Sequence, residues 1–217
     1  MIKQTNVTTE VVPELASEPK KIKRVGLLGG GFNPVHYGHL LVADQVFHQL
    51  NLDEFYLLPS YESPHKDPKK TISAEHRVAM LKLAIADNPN LSLDLSEIHR
   101  QGKSYTFETI RHLKEQHPDT EYYFVIGGDM VDYLPTWYNI EELVTLVSFV
   151  GIGRPGFKKE SDYPIIWVDV PETSTSSTYI REKIKQKCSV NYLLPDAVIA
   201  YIEKEGLYQD DSDNKMV

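Results

Sequence analysis

The chain has 217 residues, 41% of them apolar and 25% charged, the proportions of an ordinary globule with enough length for one substantial core. Its net charge of −8 argues against a non-specific nucleic-acid binder, while leaving room for a basic pocket within an acidic surface. The lone Cys188 excludes an intramolecular disulfide and a multi-cysteine metal site, and no apolar run approaches the about 20 residues that span a bilayer.

Met1 to Lys23 lack periodicity and read as a flexible extension, opening on polar residues where a signal peptide would need an apolar core. That reading places the protein in the cytoplasm, away from any membrane. Residues 24–208 read as a single domain, and 209–217, with Asp210, Asp211 and Asp213, as a loose acidic tail. Within the domain the pattern predicts strands at Arg24–Leu28, Glu54–Leu58, Leu91–Leu95, Tyr122–Ile126, Leu146–Gly151 and Ile165–Val168. Helices are predicted at Gly38–Leu50, Ala74–Ala86, Tyr105–Gln116, Ile140–Val144, Ser177–Lys187 and Pro195–Glu205. Pro195 at the first helical position and Ser73 with Glu75 mark two starts, and Gly206 marks a stop. Leu41, Ala43, Val46, Phe47 and Leu50 form a candidate buried stripe. Short apolar runs alternating with amphipathic ones define an α/β class: a Rossmann-like, doubly wound, mostly parallel sheet with helices on both faces.

The first strand runs into Gly29-Gly30-Gly31-Phe32-Asn33-Pro34-Val35-His36-Tyr37-Gly38-His39. Glycines at a strand exit let backbone approach a ligand, and His36 and His39 can share one face of the opening helical turn. With the helix N-terminus, the two imidazoles make two potential cations suited to a polyphosphate. The same residues also suit a plain strand–helix turn. The His spacing permits a metal, although no third ligand lies nearby in sequence, and neither the dinucleotide fingerprint nor the P-loop pattern is present.

A second candidate is Thr175-Ser176-Ser177-Thr178-Tyr179-Ile180-Arg181, where an extended run gives way to a helix. Its hydroxyls suit a helix cap, its free N–H groups an anion, and Arg181 a paired phosphate contact. His65 to Arg77 adds Lys66, Lys69, Lys70 and Arg77, which read equally as solvated charge. Gly127-Gly128-Asp129 ends an apolar strand, where Asp129 suits either a cap or a ribose hydroxyl. Trp137 suits either the core or stacking on a flat ring.

The first segment closely resembles the nucleotidyltransferase signature G-G-x-F-x-P-x-H-x-G-H, and the second resembles I-S-S-T-x-I-R, with Thr175 replacing the first Ile. More narrowly, the chain from Arg24 to Tyr208 resembles the bacterial nicotinate-nucleotide adenylyltransferases, of the nucleotidyltransferase α/β-phosphodiesterase superfamily. The resemblance implies transfer of the adenylyl group of ATP to nicotinate mononucleotide, releasing nicotinate adenine dinucleotide and pyrophosphate. It implies His36, His39, Lys66, Arg77 and Arg181 as the electrostatic team of catalysis. Gly29, Gly30, Gly31, Phe32, Gly128, Asp129, Ser176, Ser177 and Thr178 join the two histidines and Arg181 around ATP. Thr106 and Tyr138 map to positions that hold the nicotinate carboxylate chiefly through backbone donors, with Trp137 stacking on the ring. Magnesium is implied with the triphosphate, no protein-held metal is implied, and a homodimer is compatible.

Two positions depart from the pattern: Gly31 stands where many relatives have a hydroxyl residue, and Asn33 where Asp is frequent. The first loses a phosphate donor; the second keeps a carbonyl that can brace the turn. Alternatives are an adenylyltransferase for nicotinamide mononucleotide, pantetheine phosphate or another acceptor, or a nucleotide sensor without catalysis.

Overall fold

Six parallel strands in the order β3-β2-β1-β4-β5-β6 organise the molecule, which the computed structural model describes at residues 22–62, 71–153 and 160–209, with Asp129 in backbone only. The strands are β1 (Lys23–Gly30), β2 (Glu54–Pro59), β3 (Leu91–Leu93), β4 (Thr120–Gly127), β5 (Ser148–Gly153) and β6 (Ile165–Asp169). Between them run α1 (Tyr37–Gln49), α2 (Ala74–Ala84), α3 (Ser96–Arg100), α4 (Thr106–Gln116), α5 (Gly128–Val131) and α6 (Ile140–Leu146). After β6 come α7 (Ser177–Lys185) and α8 (Asp196–Glu205). No helix among the described residues is long and apolar enough to cross a membrane.

The sheet is apolar on both faces, as parallel sheets require. Alternation along the strands shows it. Tyr123 and Val125 of β4 face a core with Leu28, Ala43, Val46, Met80 and Val198, whereas Tyr122, Phe124 and Ile126 face another with Val25, Leu27, Ile110 and Leu143. So α1, α2 and α8 cover one face, and α4 and α6 the other. At β1 the winding reverses: β2 pairs with one side and β4 with the other. Such a reversal opens a crevice beyond the strands' carboxyl ends, where open α/β sheets take ligands.

Several predicted elements shift. Lys23 is the first residue of β1, with its ammonium 2.6 Å from Glu54, so the strand takes in the end of the expected extension. Residues 1–21 and the acidic stretch 210–217 lie outside the described residues. Strand β3 stops at Leu93 because Asp94 turns the chain: its carboxylate accepts the Ser96 N–H at 2.8 Å and starts α3. Helix α6 continues to Leu146, beyond the predicted Val144, delaying β5 to Ser148. Pro195 is the N-cap of α8; its carbonyl accepts from Val198 at 2.9 Å. Along α1, Leu40 and Val42 pack on the core where Leu41 was expected. Gly206 does end α8, at φ 66°.

Candidate active site

The His-bearing loop folds over the end of β1. Phe32, Asn33, Val35 and His36 are buried, and Phe32 takes a positive φ of 45°, a region that favours glycine. His36 is the extended N-cap of α1, and its backbone N–H donates to His39 Nδ1 at 3.2 Å. That bond leaves the Nε2 of a neutral His39 to carry the proton. The two rings lie 3.7 Å apart between centroids, tilted by 32°. They share one face, as their spacing predicts.

The structure corrects their charge. His36 is 6% exposed, and burial lowers its pKa to about 4, so it is a neutral imidazole near pH 7 and the loop does not present two cations. Its buried Nδ1 has no hydrogen-bond partner among the described residues. Gly38 has a steric reason as well: a Cβ there would stand 2.8 Å from Thr173 Oγ1 and 3.0 Å from His36 Nδ1. The strap after β6 needs that space.

The second motif folds directly onto the first. Ser176 caps α7, accepting the Tyr179 N–H at 3.2 Å. Ser177 Oγ donates to the Pro34 carbonyl at 2.8 Å across 143 residues of sequence. Arg181 donates through Nη1 to the Asn33 carbonyl at 2.7 Å and through Nη2 to Thr178 Oγ1 at 3.3 Å. Asn33 in turn accepts the Tyr208 phenol at 2.9 Å through its own side-chain oxygen. The bracing role expected of the Asn33 carbonyl is realised, by a C-terminal tyrosine that no local sequence signal marks.

Between these loops lies a cavity of ≈ 700 Å³. Of the residues assigned to ATP, Gly31, His36, His39, Ser176, Ser177, Thr178 and Arg181 line it. Across the β1–β4 crevice a second cavity of ≈ 300 Å³ takes Thr106, Trp137 and Tyr138, all three residues assigned to the other nucleotide. Leu28, Gly31, Val125 and Gly127 border both, so the two compartments adjoin at the strand ends. Gly29 and Gly30 face the smaller compartment, while Phe32 and Gly128 line neither; Gly127 is the glycine that the second strand end contributes. Trp137 belongs to the core and also borders a cavity. Its ring packs edge-on to Phe124 and Phe149 at 6.0 and 5.8 Å, and it also lines the smaller cavity.

Arg77 differs from expectation. It is 2% exposed, and its guanidinium donates to four carbonyls: Ile72 at 3.3 Å, Gly31 at 3.0 Å, Ser60 at 2.6 Å and Tyr61 at 3.2 Å. It lines neither cavity and instead ties the loop after β1 to the loop after β2. A fork of N–H donors suits that position because each buried carbonyl there needs a partner. Lys66, with His65, Lys69 and Lys70, lies outside the described residues, as does the side chain of Asp129.

A parallel sheet with a His-bearing helix N-terminus and a capped Ser/Thr–Arg helix at its switch point defines a nucleotidyltransferase. Residues 27–183 match the family model described as cytidylyltransferase-like. A protein named probable nicotinate-nucleotide adenylyltransferase in Enterococcus faecalis is 60% identical over 205 residues, covering 93% of this chain and 94% of its own. One of the same name in Lactiplantibacillus plantarum is 55% identical, covering 94% and 95%. The fold also matches the solved nicotinic acid mononucleotide adenylyltransferase of Plasmodium falciparum complexed with NaAD, at a TM-score of 0.72 and 23% identity, over 86% of this chain and 97% of that one. The chain belongs to the nicotinate-nucleotide adenylyltransferase family.

Proposed function

We propose that the enzyme transfers the adenylyl group of ATP to the phosphate of nicotinate mononucleotide, forming nicotinate adenine dinucleotide and pyrophosphate. One observation carries the reading: Ser177 and Arg181 clasp the Pro34 and Asn33 carbonyls, so the two phosphate-suited motifs form one wall beside the aromatic cavity. The large compartment takes ATP, with the triphosphate toward His39, the α7 N-terminus and Arg181. The small one takes the pyridine nucleotide, its ring beside Trp137 and its carboxylate toward the N–H groups at the start of α4.

The attacking phosphate is already an anion, so the protein needs no side-chain nucleophile. Its tasks are to align that oxygen with the α-phosphorus, opposite the departing pyrophosphate, and to stabilise the charge that develops. His39 donates from Nε2. His36, neutral and packed against it, holds the ring in place and keeps water away. Arg181 and the α7 amides draw charge toward the leaving group.

Magnesium enters as the salt of ATP, spreading the triphosphate charge. Along the large cavity the Glu172 carboxylate suits a magnesium ion already held by phosphate oxygens, a hard oxygen ligand for a hard cation. This reading places the enzyme in the cytoplasm and is compatible with a homodimer, for which light scattering is the check.

The deciding experiment is pyrophosphate release from ATP with nicotinate mononucleotide, nicotinamide mononucleotide or pantetheine phosphate as acceptor. The acid nucleotide is the preferred substrate; preference for another acceptor, or ATP binding without acceptor-dependent release, overturns the reading.

A further inference from the structure

Glu97 of α3 is a buried acid that the proposed reaction leaves without a task. It is 4% exposed, yet it lines the small cavity together with Thr106, Trp137 and Tyr138. Thr109, buried on α4, donates its hydroxyl to Glu97 Oε1 at 2.7 Å, and Arg100 donates to that same hydroxyl oxygen at 3.0 Å. Ser104 also hydrogen-bonds the carboxyl, while its own oxygen accepts the Tyr61 N–H at 3.1 Å. The approach to α4 and its first turn are thus assembled around one carboxyl group.

That arrangement sets an electrostatic conflict. A nicotinate carboxylate held at the α4 N-terminus shares a small, partly apolar cavity with Glu97, and two ionised carboxylates there repel. A nicotinamide group, being neutral, meets no such repulsion. The conflict disappears if Glu97 is protonated when the acid is bound. Burial, the largest influence on this carboxyl, already raises its pKa above the ordinary carboxylate range. Hydrogen bonds from Thr109 and Ser104 and the charge of Arg100 oppose that shift, and Asp94 reinforces it.

We propose that Glu97 is a specificity-determining residue of the small cavity, taking up a proton when the acid nucleotide binds and none when the amide nucleotide binds. The proton comes from solvent and neutralises the Glu97 carboxylate, so the ligand's carboxylate enters without adding net charge. The proposal rests on the assignment of this cavity to the pyridine nucleotide. It adds a pH-dependent choice between acid and amide that the helix terminus alone does not supply.

The test is calorimetric titration of the full chain with nicotinate mononucleotide and with nicotinamide mononucleotide, each in buffers of different ionisation heat. Both ligands carry the same phosphate, so its protonation cancels in the comparison. The wild-type protein takes up more protons with the acid than with the amide. In Glu97→Gln that excess vanishes, and above neutral pH the affinity ratio moves toward the acid by about fivefold to tenfold. Equal uptake for the two ligands in the wild-type protein overturns the inference, and that arm decides even if the variant fails to fold. An unchanged ratio in a folded variant overturns it too. If neither nucleotide binds, the functional reading itself falls.

Discussion

Tyr208 donates its phenol proton to Asn33 Oδ1 at 2.9 Å, joining the last described turn of the chain to the His-bearing loop across 175 residues of sequence. Both residues are buried, and the backbone carbonyl of the same Asn33 receives Arg181. One asparagine therefore sets both the loop and the guanidinium.

Tyr208→Phe keeps the ring and removes that buried bond, at a cost of about 1 kcal/mol in unfolding free energy. Catalytic efficiency for ATP falls on the order of tenfold, more than for the acceptor, because the phosphate wall loses its brace. Denaturant melts and steady-state kinetics on one preparation check both. Wild-type dependence on ATP in this variant would remove Tyr208 from any positioning role.

Substitution of His39 by alanine takes away the Nε2 donor together with the ring's contacts on His36 and Phe32. Turnover drops about 10²–10³-fold, the usual loss for one well-placed transition-state donor. Stability changes by about 1 kcal/mol, the scale of the His36 N–H bond at 3.2 Å that goes with the ring. An H39A enzyme with normal turnover contradicts the assignment.

Arg77→Lys is a stability variant. An ammonium cannot reach the four separate carbonyls that the guanidinium joins, and at least one stays buried without a donor. The expected loss is about 2–4 kcal/mol, read by urea unfolding. A fully stable R77K protein that had lost turnover would return Arg77 to direct substrate contact.

His36 predicts an acid limb of stability. Its pKa is lowered from 6.5 unfolded to about 4 folded, so between these values the unfolded chain binds more protons than the native one. Stability contributed by the neutral ring is complete above about pH 6.5 and is lost as pH falls toward about 4, by up to about 3 kcal/mol. His36→Asn removes the ionisable ring, and its stability falls less over that interval. Parallel wild-type and H36N curves would show that His36 does not titrate as buried.

The elements legible in sequence were those with long repeats of apolar spacing. The segments underlying α1, α4 and α7 announce themselves, whereas α3, α5 and the single turn at Leu134–Thr136 span too few residues for periodicity to register. Glu97 escaped for a related reason. In Ser96-Glu97-Ile98-His99-Arg100 an acid beside polar neighbours reads as surface, and only contact with α4 buries it. Arg77 reads by type as solvated charge and by resemblance as a phosphate contact, but its partners are carbonyls from three separate stretches of chain.

Residue type and spacing by themselves determined the α/β class and the two phosphate-suited motifs, because each is a local property of strand, turn or helix start. Tertiary structure alone decided that Ser177 and Arg181 grip the His loop, that His36 is neutral, and that Arg77 lies under the site. Charge state and partner depend on burial and on contacts between distant segments, and neither is written in any short stretch of the chain.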